Sequence, residues 1–214
     1  MDKYQETFET WNRVAKIYED KFMDLDLYND SYDIFLDFLS TNSSVLEIGC
    51  GPGNITKYLL AKNPTLKIKG IDIAENMVDL ARNNNPLANF EVMDCRNLDS
   101  LNDKFDAIIC GFCIPYLSKS DCSKFIFNCK NLLDDSGLLY VSFVEGDYEN
   151  SGFTSGSSGD RVYFYYHTLD TIKNKLIANS FEIHKSLLKK YKKADRTDEI
   201  HTVIISKKRT HKTI

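Results

Sequence analysis

The sequence lacks the features that would place it in a membrane, in a secretory pathway or on a nucleic acid. It has no apolar run close to the roughly 18 residues of a membrane span, and its first residues contain no signal-peptide hydrophobic region. Its 27 basic and 31 acidic residues give a net charge of −4, which is a poor match to a polyanionic partner. We therefore expect a cytoplasmic protein with no membrane partner and without a nucleic-acid partner.

The six cysteines also lack the spacing of a disulfide framework or a zinc site. Cys110 and Cys113 form a C-x-x-C pair, a spacing that occurs in redox and zinc sites. Cys110 ends an apolar run, however, whereas a redox cysteine of this kind begins a helix. Cys122 and Cys129 do not supply regular zinc spacing. We expect reduced cysteines and no metal site in a single domain, since 43% hydrophobic residues suffice for one core.

What the sequence does contain is a short apolar strand that leads into three alternating glycines, Gly49, Gly51 and Gly53. Glycine lets the main chain turn sharply and approach a ligand closely. A dinucleotide fingerprint, G-x-G-x-x-G, would need its third glycine where Asn54 stands. Glu47 would disfavour a pyrophosphate but suits a cationic ligand. The pattern therefore predicts a small-ligand site at a strand-to-helix turn.

Two further strands end in acids, and two more elements follow them in order. Asp72 ends an alternating strand about 20 residues after the glycines, where a doubly wound sheet places the carboxylate that binds ribose hydroxyls. Asp94 ends the next short strand. Residues 104–112 have the composition of a buried parallel strand, and residues 132–143 contain a helix end, a glycine stop and another strand.

These elements, from about Val45 to Phe143, resemble the class I S-adenosylmethionine-dependent methyltransferases. The resemblance implies an α/β fold with a doubly wound, seven-stranded, mostly parallel sheet (Rossmann-like) and an antiparallel last strand. It implies that S-adenosylmethionine is the cofactor and S-adenosylhomocysteine the product, with Asp72 on the ribose and Asp94 on the adenine amine. The implied cofactor-binding residues are Tyr18, Glu47, Gly49, Gly51, Gly53, Asp72, Ile73, Met77, Asp94, Cys95 and Cys110.

The rest of the chain frames this core in a single domain, 1–214. Phe8, Trp11, Ala15, Tyr18 and Phe22 form the stripe of an amphipathic helix. We expect the following division: capping helices in 1–42, including one from Tyr32 to Leu39; the cofactor core in 43–145; a loop or lid in 146–167; a helix and the terminal antiparallel strands in 168–206; and a basic tail in 207–214.

The chemistry expected from the resemblance is in-line methyl transfer to an N, O or C atom of a small molecule, without a metal. Tyr116 and His167 are the candidate catalytic residues, with Glu145 and His201 as more remote bases. Two alternatives stay open. A nucleic-acid or protein methyltransferase would place the lysines of 189–193 and 207–212 on one basic face, and a module could bind the cofactor without transferring methyl. We expect a monomer or a homodimer.

Overall fold

The computed structural model describes residues 2–155, 159–193 and 196–210. Its helices are α1 (Lys3–Arg13), α2 (Ala15–Phe22), α3 (Asn29–Leu36), α4 (Asn54–Lys62), α5 (Glu75–Asn84), α6 (Lys119–Leu132) and α7 (Leu169–Ala178). Its strands are β1 (Ser44–Ile48), β2 (Lys67–Asp72), β3 (Asn89–Val92), β4 (Phe105–Gly111), β5 (Leu133–Val144), β6 (Gly152–Ser155), β7 (Arg161–Phe164), β8 (Phe181–Lys192) and β9 (Asp198–Lys208).

The main sheet has seven strands in the order β3-β2-β1-β4-β5-β9-β8. The first five are parallel, whereas β9 is antiparallel to both β5 and β8. This confirms the predicted doubly wound, mostly parallel sheet with an antiparallel last strand. The strand order reverses between β1 and β4, and a doubly wound sheet binds its ligand beyond the carboxyl ends of the strands at this point.

Helices cover both faces of the sheet, and the alternation of side chains along β4 explains why. Ile108 packs in a cluster with Phe125 of α6, whereas the next residue, Ile109, packs with Phe35 of α3 and Leu59 of α4. Successive strand residues point to opposite faces, so an apolar run in a central strand serves two cores. The carboxyl ends of β1 to β4 consequently remain at one edge, between the two helical layers.

The N-terminal segment differs from the predicted single amphipathic helix. It is divided at Val14, whose φ of −93° and ψ of 9° end α1 before α2 begins at Ala15. The next helix, α3, begins three residues before the predicted Tyr32 and ends at Leu36. Side-chain spacing alone does not detect such a break, because Trp11 and Tyr18 keep helical spacing across it and pack edge to face, with ring centroids 5.5 Å apart.

The segment expected as a loop contains regular structure. β6 and β7 form an antiparallel hairpin in which Phe153 lies opposite Tyr163, with ring centroids 5.2 Å apart. Such cross-strand aromatic pairs stabilise a hairpin despite a glycine- and serine-rich sequence. The expected loop also includes residues 156–158, and the expected basic tail includes 211–214; both lie outside the described residues. Lys207 and Lys208, also assigned to that tail, belong to β9 instead.

No helix within the described ranges is both long and apolar enough to cross a membrane.

Candidate functional site

The glycine turn after β1 approaches its neighbours too closely for side chains. Gly49 has a φ of +70° and Gly51 a φ of +52°, a region that side chains disfavour. A Cβ atom at Gly49 would also lie 3.1 Å from the Cβ atom of Cys113. The turn therefore exposes bare backbone to the space above it, at the carboxyl edge of the sheet.

Asp72, at the end of β2, fixes the same turn. Its Oδ2 accepts a hydrogen bond from the Gly51 N–H at 2.9 Å, and its Oδ1 accepts one from the Ala74 N–H, also at 2.9 Å. Burial raises the pKa of this carboxyl. An ionised carboxylate offers about four acceptor positions, so Asp72 keeps acceptor capacity for a ligand. Asp72 can thus hold the turn and bind a pair of hydroxyl groups at once.

Asp94, beyond the end of β3, is engaged by Arg96. The Arg96 Nε–H donates to Asp94 Oδ2 at 2.8 Å, and the Arg96 backbone N–H donates to Oδ1, also at 2.8 Å. The guanidinium carbon lies 4.2 Å from the ring centroid of Tyr4, within the range of a cation–π contact. The sequence analysis did not predict a role for Arg96 or Tyr4. A cation two residues after a strand-end acid is nevertheless a signal that the cation pairs with that acid.

Phe112, directly after β4, adopts an unusual backbone conformation. Its φ is +59°, which is rare for a bulky residue, and its N–H donates to Ser142 Oγ at 3.0 Å. Strained residues of this kind cluster at functional sites. The backbone strain at Phe112 is not readable from the sequence, because it depends on the contact between β4 and β5.

Aromatic side chains from the N-terminal helices cover the glycine turn. Trp11 of α1 packs edge to face against Tyr18 and Tyr116, with ring centroids 5.5 Å and 5.7 Å apart. Burial raises the pKa of Tyr18 to about 12, so that its hydroxyl stays protonated near neutral pH. Together these segments enclose a cleft. Its lining consists of Tyr4, Thr7, Phe8, Trp11, Tyr18, Gly49, Gly51, Asp72, Ile73, Met77, Met93, Asp94, Cys95, Arg96, Gly111, Phe112, Cys113, Tyr116 and Leu117.

Hydrogen bonds hold α1 in place over the cleft. Thr7 Oγ1 accepts from the Tyr163 N–H at 2.8 Å, and Thr10 Oγ1 donates to the Arg161 carbonyl at 3.0 Å, which ties α1 to β7. On the other side, Asn12 Oδ1 accepts from the backbone N–H of Asn76 in α5 at 2.8 Å. Hydrogen bonds therefore connect α1, which covers the cleft, with the β6–β7 hairpin.

Comparison with known proteins agrees with this arrangement. A family model described as a methyltransferase domain matches residues 45–137, which contain the glycine turn and all the strand-end residues named above. Protein 235L of Invertebrate iridescent virus 6, whose name proposes a methyltransferase, is 29% identical over 137 residues, which are 63% of this chain and 49% of that protein. Over this segment the chain is therefore similar to known methyltransferases.

Two further similar proteins are methyltransferases named for different acceptors. The tRNA N(3)-methylcytidine methyltransferase trm140 of Schizosaccharomyces pombe is 37% identical over 107 residues, which are 45% of this chain and 34% of that protein. The structure of 1,6-didemethyltoxoflavin-N1-methyltransferase from Burkholderia thailandensis matches with a TM-score of 0.72 at 16% identity, over 96% of this chain and 88% of that one. The chain spans half or less of the length of the two curated relatives, and the structural match establishes the fold alone.

Among the residues expected to bind the cofactor of this superfamily, most line the cleft. They are Tyr18, Gly49, Gly51, Asp72, Ile73, Met77, Asp94 and Cys95. Gly53 instead is the N-cap of α4, and its carbonyl accepts a hydrogen bond from Asn85 Nδ2 at 3.0 Å. Cys110 is completely buried in the core beneath the cleft. These two residues support the cleft from behind in the structure, and their contact with a cofactor stays a prediction.

Glu47 is also completely buried behind the glycine turn. Its Oε2 accepts a hydrogen bond from Thr56 Oγ1 of α4, while its Oε1 has no hydrogen-bond partner among the described residues. Burial raises the pKa of Glu47 to about 8, which favours the protonated form at neutral pH. The expected pairing of Glu47 with a cationic group stays a prediction, and the unpaired oxygen beside the turn is compatible with it.

The two candidate catalytic residues lie in different places. Tyr116 lines the cleft, and burial raises the pKa of its hydroxyl well above the usual value. His167 is buried behind the cleft wall, where its Nε2 lies 3.0 Å from the Leu117 carbonyl. A carbonyl can only accept, so Nε2 carries the proton and Nδ1 has no hydrogen-bond partner among the described residues. Burial lowers the pKa of His167. Its role as a base stays a prediction.

Proposed function

We propose that this protein transfers a methyl group from S-adenosylmethionine to an N, O or C atom of a small molecule by in-line displacement. The observation that carries the proposal is the cleft itself, where the glycine turn, Asp72 and Asp94 converge beneath a roof of aromatic side chains. In this proposal residues 43–145 hold the cofactor and residues 1–42 cap it. S-adenosylmethionine, when bound, supplies an activated sulfonium methyl group.

Cofactor binding would depend on three groups of contacts. Asp72 would accept hydrogen bonds from the two ribose hydroxyls with the acceptor positions that the backbone leaves free. Gly49 and Gly51 would allow the methionyl part to approach the main chain. The residues present fit the group, because Gly49 leaves its backbone open where a side chain would press on Cys113.

The adenine end of the cleft would lie near Asp94 and the Cys95 backbone. Arg96 holds the Asp94 carboxylate in one orientation and uses acceptor positions on both oxygens. Three N–H groups of Arg96 donate to these oxygens, so the exocyclic amine of adenine would use the one acceptor position of about four that is left. Tyr4, which lies against Arg96, would limit the access of water to this end.

The aromatic side chains that cover the cleft would contact the methionyl end of the cofactor. The ring faces of Trp11 and Tyr18 are electron-rich and attract a cation such as a sulfonium, most strongly where water is excluded. Tyr116 would orient the acceptor by donating a hydrogen bond, since burial keeps its hydroxyl protonated. Because the methyl group is already activated, alignment and exclusion of water account for most of the catalysis expected here.

A small and partly apolar acceptor fits this cleft better than a polyanion. Phe164 of β7 packs against Tyr116, with ring centroids 5.9 Å apart, and extends the aromatic wall. Arg96 lines the cleft, but its charge is paired with Asp94. In the lysine cluster of β8, Lys189 pairs with Asp30 and Lys190 with Asp198. These pairs weaken the case for a basic nucleic-acid face, although one relative is named for a tRNA reaction.

The test is a screen for S-adenosylhomocysteine release with three acceptor pools: a metabolite library, total tRNA and denatured cellular protein. We expect turnover with one or more small molecules. With that acceptor, Tyr116→Phe should lower kcat/KM by about tenfold, since it removes one hydrogen bond to the acceptor. Tyr58→Phe is the matched control, because the Tyr58 hydroxyl on α4 donates to Asp33 of α3 and lines no part of the cleft.

Other results would change the assignment. Turnover with tRNA or protein alone would make the small-molecule proposal wrong. Binding of S-adenosylhomocysteine without turnover in any pool would favour a module that holds the cofactor and transfers nothing. Equal activity of Tyr116→Phe and the parent would exclude an orienting role for Tyr116.

A further inference from the structure

Two cysteines that are distant in the sequence meet in the floor of the cleft. The Sγ atoms of Cys95 and Cys113 lie 3.3 Å apart. Cys95 follows β3 and Cys113 follows β4, so the two strands bring the thiols together at the carboxyl edge of the sheet. Both side chains are partly buried and both line the cleft.

This pair differs from the C-x-x-C pair, Cys110 and Cys113, for which the sequence analysis expected no redox role. In the C-x-x-C segment, Cys110 is completely buried in the core and does not line the cleft, whereas Cys95 does. A disulfide has an S–S distance of about 2.05 Å, so Cys95 and Cys113 are about 1.3 Å from bonding distance. A rotation of one side chain covers such a distance without a change of fold.

The position of Cys113 links this pair to the cofactor site. A Cβ atom at Gly49 would lie 3.1 Å from Cys113 Cβ and 3.6 Å from its Sγ, so Cys113 packs directly on the glycine turn. Cys95 stands next to Asp94 in the same floor. A covalent bond between the two sulfurs would therefore fix the floor between the glycine turn and Asp94, the two places that the proposed cofactor contacts.

We propose that Cys95 and Cys113 are a site of reversible disulfide formation by peroxide, and that this disulfide and the cofactor oppose each other in the cleft. The second part rests on the proposed function; the first does not. Coupling between two such events is reciprocal: the disulfide weakens cofactor binding by the same factor by which bound cofactor disfavours the disulfide.

The chemistry balances with hydrogen peroxide as the oxidant. One thiol, as its thiolate, attacks a peroxide oxygen; the O–O bond breaks, water is released and a sulfenic acid forms. The second thiol then attacks the sulfenyl sulfur, the S–O bond breaks, an S–S bond forms and a second water leaves. The two thiols together lose two electrons, one peroxide gains them, and both thiol protons end in water.

The surroundings predict a slow reaction. The hydrogen bond to Cys113 and burial both raise the pKa of the Cys95 thiol, so little thiolate is present near neutral pH. A thiol pair that reacts slowly is oxidised by sustained exposure to peroxide rather than by brief exposure. Excess peroxide over hours is therefore the appropriate condition for the experiment.

The first measurement is a non-reducing peptide map of the full chain after peroxide treatment. We expect one linked pair, Cys95 to Cys113, with the loss of two hydrogen atoms, and its reversal by dithiothreitol. Cys95→Ser and Cys113→Ser should each abolish this link. Cys122→Ser is the matched control, because Cys122 is buried in α6 and lines no part of the cleft.

The second measurement is the dissociation constant of S-adenosylhomocysteine before oxidation, after it and after reduction. We expect oxidation to raise it by about five- to 150-fold, the usual range of coupling between sites, and reduction to restore it. Saturating S-adenosylhomocysteine, added first, should slow the appearance of the linked peptide. Cys113→Ser should show neither effect.

Several outcomes would overturn the proposal. A link between Cys110 and Cys113, or thiols that stay free or pass to sulfinic acid, would contradict the disulfide. A Cys95–Cys113 link with unchanged affinity would contradict the coupling. If the reduced protein does not bind S-adenosylhomocysteine, the proposed function and the coupling both fail, while the peptide map still decides whether the disulfide forms.

Discussion

Replacing Asp72 by alanine should affect both the cofactor and the fold. In the structure this carboxylate accepts hydrogen bonds from the Gly51 and Ala74 backbone, each at 2.9 Å. Hydrogen bonds to a charged group contribute about 1.5 to 3 kcal/mol each, less where water can replace them. We expect Asp72→Ala to lower the free energy of unfolding by about 2 to 4 kcal/mol, which is a fall in Tm of roughly 5 to 15 °C for a chain of this size.

The loss in cofactor binding is a separate quantity. Two hydrogen bonds to the ribose hydroxyls would disappear, with a cost of about 2 to 4 kcal/mol, or an increase of about 30- to 700-fold in the dissociation constant. Isothermal titration with S-adenosylhomocysteine, well below the Tm of the variant, measures this loss on folded protein. A control is Asp79→Ala, which removes an acid of α5 that pairs with Arg82 on the surface.

The two effects can be separated with Asp72→Asn. Its single carboxamide oxygen can accept only part of what the carboxylate accepts, so we expect intermediate losses in Tm and in affinity. The reasoning would be refuted by a folded Asp72→Ala protein that binds S-adenosylhomocysteine as the parent does. A lower Tm with unchanged affinity would leave Asp72 a purely structural residue.

Three further predictions follow from the surroundings of the cleft. Asp94→Ala should weaken S-adenosylhomocysteine binding by about tenfold, less than Asp72→Ala, because one hydrogen bond is lost; equal losses in calorimetry would contradict this. Arg96→Ala should weaken binding as well, since Asp94 loses its orientation, and unchanged affinity would exclude the clamp. Glu47 has a pKa of about 8 in the fold against an ordinary 4.5, so its contribution to stability is present below about pH 4.5 and is lost as the pH rises through 8. The Tm of Glu47→Gln relative to the parent, both without ligand, should therefore increase from about pH 5 to about pH 9, and a flat difference would contradict the shift.

The strand-end positions were predictable from the sequence because they depend on local rules. An alternating or continuous apolar run predicts a strand, glycines predict a turn, and parallel strands place their carboxyl ends at one edge. This is why Gly49, Gly51, Asp72 and Asp94 meet in the cleft as expected. The antiparallel final strands, predicted within 168–206, followed from the same patterns, although β9 continues to Lys208.

The burial of Glu47 follows from the alternation of side chains along a strand, but it can be derived only once the layers on each face of the sheet are known. Side chains alternate along a strand, so Glu47 lies on the same face of β1 as Val45, which packs in the cluster under α3 and α4. Thr56, on α4, then becomes its hydrogen-bond partner. Only the assembled layers reveal that this acid is buried.

Other features depend on contacts between distant segments. Arg96 reaches Tyr4 across 92 positions of sequence, and Tyr116 meets Phe164 through the hairpin. Histidine is a common catalytic residue type, but a hydrogen bond to the Leu117 carbonyl holds His167 behind the wall of the cleft. No local pattern specifies such pairings, because they arise from the way in which α1, the hairpin and the sheet edge pack together.

The most direct test of the central claim uses the single tryptophan of the chain, Trp11, which lines the cleft beside Tyr18 and Tyr116. Its fluorescence should change saturably when S-adenosylhomocysteine is added, and the change should be absent with NAD and greatly weakened in Asp72→Ala. A saturable response to NAD together with none to S-adenosylhomocysteine would contradict the account.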